Sequence, residues 1–94
     1  MCGFTGFISY TNRVNSSSLI KMTDAIKHRG PDGEGFTGVT DFNQPFFELN
    51  NRIKGSIDLN IGIGFRRLAI RDLTKAGSQP MFSNNREICL VFNG

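Results

Sequence analysis

Only one stretch of this chain carries a helical period. Leu19, Met22, Thr23 and Ile26 recur at i, i+3, i+4 and i+7, one face of a helix running from Leu19 to about Lys27, with Met22 expected in the core. The other apolar runs are short and β-like. A single helix among strands, in 94 residues, describes one modest α+β domain.

The strands are read from alternation and β-favouring residues. Residues 2 to 9 form the first, through Phe4, Thr5, Phe7 and Ile8. Tyr10 to Ser18 is polar, with Ser16 or Ser17 offered as helix N-cap. The helix stops at Gly30-Pro31, inside a dense loop of glycine, proline and charge, and Glu34 to Thr40 rises from it as a strand. Phe46 to Leu49 is read as a short strand and Asn50 to Gly55 as a turn, in a region read as a hairpin or surface insertion. Ile61 to Ile70 is a strand in which Ile61, Ile63 and Phe65 alternate, and Asp72 to Pro80 a loop. Glu87 to Phe92 closes the series, with Ile88, Leu90 and Phe92 on one side and Cys89 and Val91 on the other. Cys89 is expected to be an inert core thiol.

Composition removes several functions. Eleven Lys and Arg against eight Asp and Glu give a net charge of +3, spread without a basic block, so nucleic-acid binding has little support. Two cysteines without a short spacing form neither a disulfide framework nor a zinc motif. No apolar run approaches a membrane span or a signal peptide, which leads to the expectation of a soluble, cytoplasmic chain.

Chemistry concentrates at a few positions. Cys2 stands directly behind the initiator methionine. If Met1 is removed, one residue carries a thiol and the chain's free amine, titrating near ~8.5 and ~7.7 to 8.0, a nucleophile with its own base. A buried structural cysteine is the rival reading. Arg66 and Arg67, adjacent on a strand, point to opposite faces. An inward arginine needs an anion, either Asp72 or a ligand carboxylate held by a bidentate fork. His28 and Asp32 fall short of a metal site and are read as fixing their loop. Gly33 to Gly38 spells G-x-G-x-x-G, but a proline loop precedes it and a β-like run follows, so the nucleotide-binding context is missing. Asn93-Gly94 reads as a turn, or as a side-chain amide and a backbone N–H suited to a developing oxyanion.

Five segments in order, Met1-Cys2-Gly3-Phe4-Thr5-Gly6-Phe7, His28-Arg29-Gly30-Pro31-Asp32-Gly33, Arg67-Leu68-Ala69-Ile70-Arg71-Asp72, Gln79-Pro80-Met81 and Phe92-Asn93-Gly94, resemble the glutaminase domain of glutamine-hydrolysing asparagine synthetases. These are class II glutamine amidotransferases with the N-terminal-nucleophile hydrolase fold, a four-layer αββα sandwich. The resemblance implies that residues 1–94 are the N-terminal half of such a domain, and that the stretch near Asp41 to Asn60 is longer than the family needs.

It also implies roles. Cys2 would attack the carboxamide of L-glutamine, and Asn93 and Gly94 would form the oxyanion hole. Arg67 would grip the substrate α-carboxylate, with Leu68, Ile70 and Arg71 lining the site. His28, Arg29, Gly30, Pro31, Asp32 and Gly33 would shape the loop over it. The ammonia would pass to a C-terminal synthetase domain, absent here, that uses ATP and Mg to form asparagine from aspartate. Related members aminate other acceptors, including surface-polysaccharide sugars, and a non-catalytic fragment is the further alternative. No metal is expected in this chain, the fragment alone is expected to be inactive, and its strand edges would favour association such as a homodimer. Phe65 stands where relatives often carry His, read as a tolerated change.

Overall fold

The computed structural model describes residues 2–49, 56–68 and 79–92. Along the chain, β1 (Gly3–Ile8) and β2 (Val14–Asn15) precede α1 (Ser16–Ala25), and a 3-10 turn covers Lys27–Arg29. Then follow β3 (Gly33–Val39), β4 (Phe47–Glu48), β5 (Asp58–Leu59), β6 (Ile61–Arg67), β7 (Met81–Phe82) and β8 (Cys89–Leu90). An antiparallel sheet of order β1-β6-β3-β4 forms the centre, and β2-β5 and β7-β8 make two-stranded ribbons.

Register decides which residues meet the helix. Cross-strand partners share a face of the sheet. Gly3, Thr5 and Phe7 pair with Arg66, Gly64 and Gly62, which pair in turn with Glu34, Phe36 and Gly38. This face receives α1. Leu19, Phe36, Leu49 and Leu59 form the buried core, with Phe7, Ile20, Phe47 and Ile57 packed around it. Thr23 is the polar residue at the seam. Its hydroxyl donates to Leu19 O at 2.8 Å and meets the Thr5 hydroxyl at 2.9 Å, so its burial leaves no polar atom unmatched.

The helix begins earlier than periodicity suggests. Asn15, not Ser16 or Ser17, is the N-cap: its side-chain oxygen accepts from Ser17 N–H at 2.9 Å. Its amide nitrogen donates to Asp58 Oδ1 at 3.0 Å, tying the cap to the β2-β5 ribbon. Ser16 is instead buried, accepting from Ile57 N–H at 3.1 Å. The α-helix ends at Ala25, two residues short of Lys27, and the 3-10 turn takes over. Met22 is 37% exposed, against the expectation of a core position. At about 100° per residue it lies about a quarter turn from the line of Leu19 and Thr23 that faces the sheet.

The strand over residues 2 to 9 is β1, and the one over 34 to 40 is β3, which takes in all of Gly33–Val39 and leads into no helix. The short strand near residue 47 is β4, closing a hairpin with β3. The strand at 61 to 70 is described to Arg67; Leu68 lies outside β6, and residues 69 and 70 lie outside the described ones, as do Asn50 to Gly55 and Asp72. The last strand is shorter than Glu87 to Phe92. Its alternation holds, but Ile88, Leu90 and Phe92 face solvent. The pairings of β2 with β5 and of β7 with β8 were not foreseen; two-residue strands carry no period.

On the face opposite α1, Phe4, Ile8, Ile61, Ile63 and Val91 line an apolar groove of ≈ 520 Å³. The architecture is thus an α+β sheet with a single helix among the described residues, consistent with part of an N-terminal-nucleophile hydrolase fold. No helix among the described residues is long and apolar enough to cross a membrane.

Candidate functional site

Two chain segments meet at one end of the sheet, and a third rests on its Arg67 face. Cys2 precedes Gly3, which pairs with Arg66, so one more step of the register sets Cys2 opposite Arg67. The half-buried thiol reaches the main chain just beyond β6: Leu68 N–H donates to Cys2 Sγ at 3.4 Å, and Sγ lies 3.8 Å from Leu68 O. A thiol is a weak hydrogen-bonding group, so these contacts orient it without gripping it.

The second segment is the loop after α1. Asp32 N–H donates to Arg67 O at 3.0 Å, and Pro31 bridges Arg67. Gly30 sits so close to β6 that a Cβ there would come within 2.5 Å of the Arg66 carbonyl carbon. Only glycine permits that approach. Arg66 completes the lock. Its side chain is 5% exposed, its Nε donates to Gly30 O at 2.8 Å, and its Nη1 pairs with Glu34 Oε1 at 2.6 Å. The anion that Arg66 requires is therefore Glu34. Neither a ligand carboxylate nor Asp72, the two expected partners, is needed for it. The cross-strand pair Glu34↔Arg66 explains the choice, and it is legible only once the register is known.

Arg67 lies on the opposite face, half-buried and paired with Gly33. The two arginines thus diverge as alternation requires: Arg66 is committed to the loop, and Arg67 shares the face of the Cys2 position. His28 is exposed in the 3-10 turn, and Arg29, half-buried, packs its side chain against Gly3. Gly30, Pro31, Asp32 and Gly33 are the residues that seat the loop on β6. Ile70, Arg71, Asn93 and Gly94 lie outside the described residues.

The third segment is the β7-β8 ribbon. Phe46 N–H donates to Arg86 O at 2.8 Å, anchoring its turn beside β4. Gln79 rests on the sheet: a Cβ on Gly35 would lie 2.0 Å from Gln79 O. Gly35 pairs with Phe65, on the face of Arg67. Cys89 in this ribbon is half-buried, not core, and burial pushes its thiol pKa up. That direction suppresses thiolate and agrees with an inert role. No group of three or more His, Cys, Asp or Glu among the described residues could hold a metal ion.

Cys2, the end of β6 that carries Arg67, and the glycine-rich loop thus lie together at one end of the sheet. The model of the family described as glutamine amidotransferase domain matches residues 52–94. Over 92 residues the chain is 38% identical to the Methanocaldococcus jannaschii protein named "Putative asparagine synthetase (glutamine-hydrolyzing) 2", covering 98% of this chain and 15% of that one. It is 33% identical over 98 residues to glutamine-hydrolysing asparagine synthetase 1 of Bacillus subtilis, covering all of this chain and 12% of the relative. Amidase chyE of Penicillium rubens is 27% identical over 106 residues, covering all of this chain and 13% of the relative. The chain carries a glutamine-amidotransferase domain match related to the glutamine-hydrolysing asparagine-synthetase family, at low identity, and spans a small fraction of these relatives' length. No solved structure matches it significantly.

Proposed function

We propose that this chain is the nucleophile-bearing part of a glutaminase domain, acting as the ammonia source of a glutamine-dependent amidotransferase. The observation that carries the reading is the position of the Cys2 thiol, held by Leu68 at the end of β6 on the face that Arg67 shares. With Met1 removed, the α-amine of Cys2 takes the thiol proton and the sulfur attacks the carboxamide carbon of glutamine. The tetrahedral oxyanion collapses to a thioester as the amine's proton passes to the departing nitrogen, releasing ammonia. Water then hydrolyses the thioester to glutamate and frees the thiol.

In this reading the Arg67 guanidinium holds the α-carboxylate of glutamine, a contact for which a planar fork is well matched. The Asn93 amide and the Gly94 N–H hold the oxyanion, where losing one donor costs about 2.7 to 4 kcal/mol. Leu68, Ile70 and Arg71 line the substrate site. The relatives' names support asparagine as the product, and in this reading the ammonia passes to a synthetase domain that uses ATP and Mg to form it from aspartate. The matches to the amidases chyE and chry2 favour a second reading, in which the same glutaminase chemistry serves another acceptor.

The test compares the full-length protein that carries this chain with its Cys2→Ala variant, measuring glutamate released from glutamine. Release is expected to be lost in the variant. Equal release from the two proteins refutes Cys2 as nucleophile, and retained Met1 in active protein, read by mass spectrometry, refutes the amine as base.

A further inference from the structure

The Arg66 guanidinium spans two partners, Nε donating to Gly30 O at 2.8 Å and Nη1 paired with Glu34 Oε1 at 2.6 Å. Glu34 thereby sets the direction of the fork, and the fork holds the Gly30 carbonyl. What this fixes is the next residue along β6. Gly30 rests on the peptide that joins Arg66 to Arg67: a Cβ there would come within 2.5 Å of the Arg66 carbonyl carbon and 2.6 Å of Arg67 N. On the other side of Arg67, its carbonyl accepts from Asp32 N–H at 3.0 Å. The peptides before and after Arg67 are thus both held by one loop, and the Arg66 side chain anchors that loop.

We infer, resting on the glutaminase reading of Arg67, that Arg66 is a positioning residue for the substrate clamp. Its guanidinium, held by Glu34, pins Gly30 and Asp32 on β6 and so sets the main chain from which the Arg67 side chain meets the α-carboxylate of glutamine. Arg66 and Glu34 make no contact with substrate: they share the α1 face, and Arg67 lies on the opposite one with the Cys2 position. A planar fork on a carboxylate needs direction as well as distance, so a small rotation of the Arg67 peptides weakens recognition of that one group. Recognition of the side-chain carboxamide does not pass through Arg67. Loss of the lock therefore has a chemical signature, a reduced preference for substrates that carry the α-carboxylate.

The test uses the full-length protein and two substrates on each preparation: L-glutamine, and L-glutaminamide, in which a neutral amide replaces the α-carboxylate. Their products, glutamate and isoglutamine, are separated by chromatography. The ratio of the two kcat/KM values does not depend on the folded fraction, so it reads the clamp and not stability. Arg67→Ala sets the scale and should lower the ratio roughly 100-fold, the worth of hydrogen bonds to a charged group. Glu34→Leu with Arg66→Met strands no charge but leaves Gly30 O untied. It should lower the ratio roughly 10-fold through KM for glutamine, with glutaminamide turnover within about twofold of wild type. Arg66→Lys keeps a cation for Glu34 but has one nitrogen where the fork has two, and should lower the ratio in the same direction. A wild-type ratio in either variant, whether the two rates hold or fall together, overturns the inference. If Arg67→Ala also keeps the ratio, the clamp reading of Arg67 falls with it. If Arg67→Ala loses the ratio and the Arg66 variants keep it, only the role of Arg66 falls.

Discussion

Glu34→Ala is the sharpest perturbation of the frame beneath the site. It removes the carboxylate from an arginine whose side chain is 5% exposed, while the Glu34 side chain is itself 25% exposed. Breaking a buried ion pair from one side costs about 3 to 5 kcal/mol, because the surviving charge stays desolvated. Partial exposure of Glu34 lets water reach Nη1, which argues for the lower end, about 3 kcal/mol. Near 1 kcal/mol per 4 to 8 °C for a domain of this size, the melting midpoint should fall by roughly 12 to 24 °C. Replacing both partners, as in Glu34→Leu with Arg66→Met, removes the stranded charge and should recover most of the loss. The Arg66 bond to Gly30 O would still be missing, which leaves a residual of about 1 kcal/mol. The assay is thermal or urea unfolding followed by circular dichroism, read as a double-mutant cycle on the intact protein. A cost below about 1 kcal/mol for Glu34→Ala, or a double variant worse than the single, would refute the account of Arg66 as a buried charge satisfied by Glu34.

Asn15→Ala should destabilise the fold by about 1 kcal/mol, since it removes the cap on Ser17 N–H and the tie to Asp58, whereas Ser17→Ala should change stability little; urea midpoints compare the two. For Cys89, the pKa is raised by desolvation. The folded state therefore holds its proton where the unfolded chain has released it. Its contribution to stability is complete below the unfolded thiol pKa and is lost as pH rises through the higher folded one. Maleimide labelling of Cys89 in native protein should accordingly have a pH midpoint above that of the same thiol in denaturant, and equal midpoints would contradict the burial.

How much of this was legible depended on what each feature needs. The helix α1 and the strands at 3–8, 33–39 and 61–67 announce themselves because burial imposes a period on their residues. Thr23 shows that the period marks a face, and Met22 shows that it does not mark the depth of each position on it. The divergence of Arg66 and Arg67 follows from strand geometry alone. The partner of Arg66 does not, since Glu34 is 32 residues away and becomes its neighbour only when β3 and β6 take their register. The pairing of Gln79 with Phe92 was hidden for the same reason: nothing local says that a carboxamide will replace a backbone ladder that proline interrupts. Cys2 was conspicuous as a residue type, while its setting against Leu68 is a property of the assembled sheet.

The contact between Cys2 and Leu68 joins positions 66 residues apart. During synthesis the chain's first residues emerge long before the segment that will hold them has been translated. At about 5 to 20 residues per second, that interval is roughly 3 to 13 s. Throughout it the amino end has no docking place on β6 and, in the proposed reading, stays open to the aminopeptidase that would expose the Cys2 amine. Once β6 is in place, the same end is drawn against Leu68. Under the proposed function, the order of translation gives processing a head start over burial, and a nucleophile that needs a trimmed terminus would be best served by a strand that arrives late.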